Sequence, residues 1–149
     1  MNHKAPLSER LDPIHRLAQN REDEAARRLA ESQQALARQE TQLQEMERYL
    51  REYSEGMPTT PIAPSMLANR EAFLRQLAEA LRWQANAVAD ARGRLERARQ
   101  QWLGRHRDTD VLEHLMERSR VTERRSQERC AQRELDEFAA RLPTNRVVG

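Results

Sequence analysis

The side chains best suited to acid–base or metal chemistry are scattered along this sequence. They are His3, His15, His106, His114 and Cys130. His106 and His114 could share one face of a helix, but no two histidines stand four residues apart, as a helical ligand pair would. A single cysteine can form neither an internal disulfide nor a thiolate cluster. The sequence therefore predicts no metal site and no cofactor.

The motifs that hold nucleotides are missing as well. Neither glycine-rich phosphate pattern, G-x-x-x-x-G-K-[ST] or G-x-G-x-x-G, occurs in the sequence. Acidic residues are abundant, but on helix surfaces they are typically solvated or paired with a basic residue four positions away. A two-helix protein also offers no cavity that could bury a substrate. We therefore expect a protein that is not an enzyme.

A basic run covers residues 92–107, which contain six arginines and a single acidic residue, Glu96. Such a run either binds an anionic partner or forms the solvated face of a long helix. The net charge of +2 is too small to indicate nucleic-acid binding by itself. The arginines are Arg92, Arg94, Arg97, Arg99, Arg105 and Arg107.

The composition indicates which elements carry these residues. Hydrophobic residues make up 38%, aromatic residues 4% and charged residues 34% of the 149-residue chain, and the mean hydropathy is -1.00. Few glycines and many Ala, Glu, Leu and Arg residues are typical of long helices, with disorder as the alternative. No apolar run is long enough for a transmembrane helix, and no apolar signal core follows Met1. We expect a cytoplasmic protein.

Proline positions divide the chain, because proline inside a helix costs about 3 kcal/mol. The sequence predicts one helix over residues 13–54 and a second over residues 65–142. A Pro-rich loop over residues 55–64 joins them, and a flexible tail covers residues 143–149. The predicted fold is all-α, a long antiparallel coiled coil of two helices within a single domain.

Heptad spacing supports this prediction, because apolar residues recur every seven positions in both helices. Their d series includes Ala25 and Met46 in the first helix, and Leu77, Gln84, Ala91 and Ala98 in the second. The a series is Leu29, Leu36, Leu43 and Leu50, then Leu67, Leu74, Leu81, Val88, Leu95, Trp102, Thr109 and Met116.

A short loop forces the helices to run antiparallel. A register with Leu43 opposite Leu77 and Met46 opposite Leu74 then faces a positions with d positions. The same register leaves residues 108–142 with few partners inside the chain. A helix of that kind usually needs a partner to be stable.

Aromatic residues at flanking positions form a further feature near the loop. The g positions of both helices flank the seam on the same side, where Glu, Lys or Gln is usual. The resulting strip is either an exposed binding patch or a local widening of the core. Its members are Gln42, Met46, Tyr49, Tyr53, Phe73, Leu77, Ala80 and Gln84.

These stretches resemble the FliJ family of the bacterial flagellar type III export apparatus. The resemblance rests on residues 48–54 (RYLREYS), 73–80 (FLRQLAEA), 98–102 (ARQQW) and 135–141 (LDEFAAR), in order and at similar spacing. It implies an antiparallel coiled coil similar to the central stalk subunit of rotary ATPases. It also implies a role in flagellum biogenesis, and so in motility.

The resemblance further implies partners and sites. The terminal half of the stalk would enter the ring of the export ATPase FliI, which is associated with FliH. The strip described above would dock on the cytoplasmic domain of the membrane export gate protein FlhA, and export chaperones would bind as well. Residues implied at the ATPase ring are Arg118, Leu135, Asp136, Glu137 and Phe138.

Two alternatives remain open from the residues themselves. One is the equivalent stalk of a virulence type III secretion system, which would share the architecture. The other is a structural coiled coil that self-assembles or binds nucleic acid, although we expect no nucleic-acid partner. The expected location is the cytoplasm, peripherally associated with the inner-membrane export gate.

Overall fold

The computed structural model describes residues 5–56, 61 and 63–143 and contains two long α-helices. Helix α1 covers Leu7–Glu55 and helix α2 covers Pro64–Arg141. The two helices pack against each other, and no strand is present among the described residues. The predicted all-α helical hairpin is therefore confirmed. The centre of the predicted loop and residues 144–149 of the predicted tail lie outside the described residues.

Helix α1 begins at Leu7 and not at the predicted Pro13, which lies inside the helix. Pro13 cannot donate a backbone hydrogen bond to Glu9, and this loss costs about 3 kcal/mol in a helix interior. The first turn is held by a long-range contact, because Glu123 accepts hydrogen bonds from the backbone N and the hydroxyl of Ser8, at 3.1 and 2.7 Å. Tertiary contact thus overrides the local preference for a helix start at Pro13.

The buried residues confirm the heptad pattern. Every residue that is buried among those described occupies a predicted a or d position. Most are small, as expected where two helices approach closely without a third layer. They are Ala25, Gln84, Val88, Ala91, Ala98, Thr109 and Met116.

The chain divides into two compact units. We call residues 22–104 the loop-proximal unit, and residues 5–21 with 105–143 the terminal unit. Each unit contains a segment of α1 packed on a segment of α2. Ala25, Val88, Ala91 and Ala98 form the core of the first, and Met116 is buried to 3% exposure in the second.

The pairing of the helices in the loop-proximal unit is marked by a polar contact in its core. Gln84 is 9% exposed, and its Nε2 donates to the backbone O of Gln39 at 3.0 Å and to its Oε1 at 2.8 Å. The predicted register places Gln39 opposite Leu81, so the contact lies about one turn further along α2.

In the terminal unit the predicted register is wrong. It places His15 opposite Arg105 and Ser8 opposite Leu112, whereas His15 contacts Glu113 at 3.1 Å and Ser8 contacts Glu123. Heptad spacing cannot distinguish registers that differ by a whole heptad, because both bring a positions opposite d positions. The earlier start of α1 lengthens the paired part.

The unpaired end of α2 is consequently shorter than predicted. The sequence predicts that the unpaired end begins at Asp108, yet Thr109 is only 4% exposed and Met116 is buried. From Arg124 to Pro143 every residue is exposed. We call residues 124–143 the extension.

Candidate interaction surfaces

Three aromatic rings form one exposed cluster near the end of α1. Tyr53 and Phe73 have ring centroids 4.8 Å apart, Tyr49 and Phe73 lie edge to face at 6.4 Å, and Tyr49 and Tyr53 are 6.3 Å apart. Their exposed fractions are 50% for Tyr49, 36% for Tyr53 and 37% for Phe73. Aromatic pairs at such distances stabilise each other by about 0.5–1.5 kcal/mol. We call these three residues the aromatic cluster.

Arg70 fixes the cluster to the end of α1. Its Nη2 donates to the backbone O of Tyr53 at 2.9 Å and of Ser54 at 3.3 Å, and its guanidinium lies 5.7 Å from the Tyr53 ring centroid. The last turn of α1 contains no basic residue of its own. Arg70 on α2 therefore supplies the positive charge that the carbonyl end of a helix favours.

The remaining members of the predicted strip differ in exposure. Gln42 and Ala80 are exposed, and Met46 and Leu77 are half-buried. Gln84 is turned into the core against Gln39, so its side chain is not presented to solvent. Its d position already indicates this placement, because d positions face the seam.

One exposed aromatic residue of the loop-proximal unit was missed by the sequence reasoning. Trp83 is 73% exposed, the largest exposed fraction among the large apolar residues described. With Leu81 at a and Gln84 at d, Trp83 occupies position c, which faces away from the seam. Heptad counting would have found it.

The basic run forms exposed surface in both units. All six arginines are exposed, and Arg92 pairs with Glu40 across the helices at 3.3 Å. The acidic residue of the run, Glu96, accepts a hydrogen bond from Gln100 at 3.0 Å. These contacts are those of a solvated helix face.

The extension carries the apolar residues predicted at the ATPase ring. Leu135 is 63% and Phe138 64% exposed, and Leu142, just past the end of α2, is 54% exposed. Residues at i, i+3 and i+7 share one face of a helix. Asp136 accepts a hydrogen bond from Gln132 at 3.0 Å, and Arg118 and Glu137 are exposed. Arg118 precedes the extension and lies in the paired part.

A shallow groove lies between the helices within the terminal unit. Its volume is 150 Å³, and it is lined by apolar Ile14, Leu17, Ala18 and Leu112 with charged residues at its rim. Ile14 is 51% and Leu17 50% exposed. The heptad of α1, counted back from Leu29, places Ile14 at g and Leu17 at c, so both lie outside the a and d seam. The rim residues are Arg21, Arg105 and Asp108.

Two histidines make contacts between or within the helices. His15 contacts Glu113, and His114 Nδ1 lies 2.8 Å from the backbone O of Asp110. Among the residues that the structure describes, no three His, Cys, Asp or Glu side chains come together as metal ligands do. Cys130 is exposed on the extension. Neither described helix has a stretch that is apolar enough to cross a membrane.

Comparison with known proteins gives one finding. The family model described as the flagellar FliJ protein matches residues 7–147 of the chain. No curated protein matches it significantly. The matched range includes the aromatic cluster, the groove and the extension.

Proposed function

Because the chain belongs to the FliJ family, a family of non-catalytic flagellar export components, we propose that it acts as a stalk and adaptor in flagellar type III protein export. In this proposal the stalk links the export ATPase FliI, with FliH, to the cytoplasmic domain of the gate protein FlhA and to export chaperones. The chain would work in the cytoplasm, peripherally associated with the gate. The flagellar description of the family favours this over the virulence counterpart.

The observation that carries the proposal is the aromatic cluster. Tyr49, Tyr53 and Phe73 keep substantial exposed area although they are held in contact with one another. Rings that are already fixed lose little conformational freedom when a partner covers them, and aromatic residues dominate interface energetics for this reason. The gate domain is the proposed occupant, with Gln42, Met46, Leu77 and Ala80 around the cluster.

Phe73→Ala tests this docking. We expect affinity for the FlhA cytoplasmic domain to fall about 30-fold, equivalent to about 2 kcal/mol, and swimming motility to fall with it. Trp83→Ala is the matched control, because it removes a more exposed ring from the same unit. Calorimetric titration of the gate domain and thermal melting measure both effects.

Two results would contradict docking at the cluster. One is unchanged gate affinity and motility in the Phe73 variant. The other is equal loss of affinity in the Trp83 variant. A Phe73 variant that melts as early as Leu43→Ala would indicate that the ring is core, in which case Tyr49→Ala, at 50% exposure, repeats the affinity measurement without that defect.

The extension is the proposed contact with the ATPase ring. Its apolar face of Leu135, Phe138 and Leu142 has no cover within the described chain. Removing residues 124–149 keeps Glu123 and its contacts to Ser8, so the paired part should remain folded. We expect the shortened protein to lose stimulation of FliI ATPase activity while it keeps gate binding. Full stimulation by this truncation would overturn the assignment.

A further inference from the structure

The terminal unit leaves an apolar stripe of α1 exposed beside its groove. Leu7, Ile14 and Leu17 lie on one face at helical spacing, with exposed fractions of 41%, 51% and 50%. Arg10 lies on the same face, four residues before Ile14, and is also exposed. The stripe therefore reads apolar, basic, apolar, apolar along α1.

The extension carries a stripe of similar spacing, with an acidic residue at its second position and Arg141 beside its last residue. Ala131, Glu134, Phe138 and Leu142 follow one another at intervals of three or four residues, so they lie on one helix face. Phe138 and Leu142 are 64% and 54% exposed, and Glu134 is exposed. Glu134 stands four residues before Phe138, just as Arg10 stands four residues before Ile14.

The extension cannot cover the α1 stripe of its own chain. Helix α2 is continuous from Pro64 to Arg141, and Glu123 already lies beside Ser8, in the first turn of α1. Residues after Glu123 therefore continue away from Ile14, at about 1.5 Å per residue. A second copy of the chain meets no such restriction.

We propose that two copies of this chain associate through their terminal units, with the extension of each copy lying on the α1 stripe of the other. The α2 helices run antiparallel across a two-fold axis, so each extension runs parallel to the partner's α1. In this alignment Glu134 meets Arg10 of the partner subunit and Phe138 meets the partner's Ile14. Leu142 falls one residue past the partner's Leu17 and lies beside it. The two-fold symmetry repeats every contact, which doubles the apolar area covered.

Charge complementarity selects this occupant. The stripe on α1 has an exposed basic residue, Arg10, and the stripe on the extension has an exposed acidic one, Glu134, at the same step of the pattern. Electrostatic matching of this kind fixes register and orientation more than it adds affinity. A partner helix with only an apolar face would not pair with the charge of Glu134.

Self-association and ATPase binding use the same extension, so the two are mutually exclusive. The dimer is a state of the free chain, and its test needs no export protein. Failure of the dimer therefore leaves the proposed stalk function intact, and failure of ATPase stimulation leaves the dimer intact.

Sedimentation of the purified full chain, over about 1–100 μM, tests the proposal. We expect a concentration-dependent dimer whose dissociation constant rises about tenfold or more in Arg10→Glu and in Glu134→Arg, because each change places like charges together twice. The double variant should regain most of the wild-type affinity, since the pair is restored with reversed sign. Phe138→Ala should also dissociate the dimer, and Trp83→Ala should not.

Three results would overturn the proposal. The first is a wild-type chain that stays monomeric throughout this range. The second is a dimer that the single charge reversals leave unchanged. The third is a double variant as weak as the two single variants combined, which would show that Arg10 and Glu134 do not meet. Circular dichroism checks that each variant keeps its helix content, as expected for substitutions at exposed positions.

Discussion

The polar contact between Gln84 and Gln39 allows a quantitative test of what holds the loop-proximal unit together. Two hydrogen bonds at 3.0 and 2.8 Å join these residues inside an otherwise apolar seam. Each such bond contributes about 0.5–1.5 kcal/mol net. Gln84→Ala removes both bonds and leaves a void at a position only 9% exposed. We expect it to lower the free energy of unfolding by about 2–4 kcal/mol.

Gln84→Leu separates the contribution of the hydrogen bonds to the free energy of unfolding from the contribution of the filled volume. Leucine fills most of the same space, and burying it contributes about 1.5–3 kcal/mol, which offsets the lost bonds. Gln39 is half-buried, so water can replace the bonds that its side chain loses. We therefore expect a free energy of unfolding within about 1 kcal/mol of wild type.

Urea unfolding followed by circular dichroism measures both variants. If Gln84→Leu lowers the free energy of unfolding as much as Gln84→Ala does, the hydrogen bonds outweigh packing and this expectation is wrong.

A second measurement concerns the register in which the two helices pair. A buried polar residue specifies register at some cost in stability, so in Gln84→Leu engineered cysteine pairs displaced by one heptad should cross-link more readily than in wild type.

Three further predictions concern the ends and the core. Arg70→Ala should lower the free energy of unfolding by about 1–2 kcal/mol and increase hydrogen exchange in the last turn of α1, because it removes the bonds to Tyr53 and Ser54; exchange unchanged in that turn would contradict the capping role. Glu123→Ala should cost about 1–2 kcal/mol and expose the first turn of α1 to exchange; Glu128→Ala, on the exposed extension, is its control. Met116→Ala, at 3% exposure, should cost about 2–5 kcal/mol in thermal melting, and a loss below 1 kcal/mol would mean that the seam collapses around the site.

The sequence alone was sufficient to predict which residues lie in the seam between the two helices. Gln84 and Thr109 are polar, yet both occupy seam positions of the heptad and both are buried. The predicted register nevertheless left Thr109 in the unpaired end, and the predicted docking strip included Gln84. The all-α hairpin followed from the same spacing and from the proline distribution. These features are local, and a period of seven along one helix is enough to identify them.

Register and helix start depended on contacts between distant residues. The hydrogen bonds of Ser8 to Glu123 hold the turns before Pro13, and no property of residues 7–13 alone indicates that partner. Because a shift of one heptad keeps a opposite d, the pattern could not place His15 beside Glu113 either. The exposed part of the aromatic strip, in contrast, depended only on heptad position.

The side chains of α2 cap both termini of α1, and this arrangement affects how the hairpin comes apart. Arg70 binds the carbonyl end of α1 and Glu123 binds its amino end, each with the charge that the helix dipole favours. The turns of α1 before Pro13 are the weakest part of that helix, since the proline interrupts their hydrogen bonding. Any load that draws α2 away near Glu123 should therefore fray α1 from Leu7 towards Pro13 first. Beyond Pro13, further separation of the helices must also break the apolar seam in which Ala25 is buried.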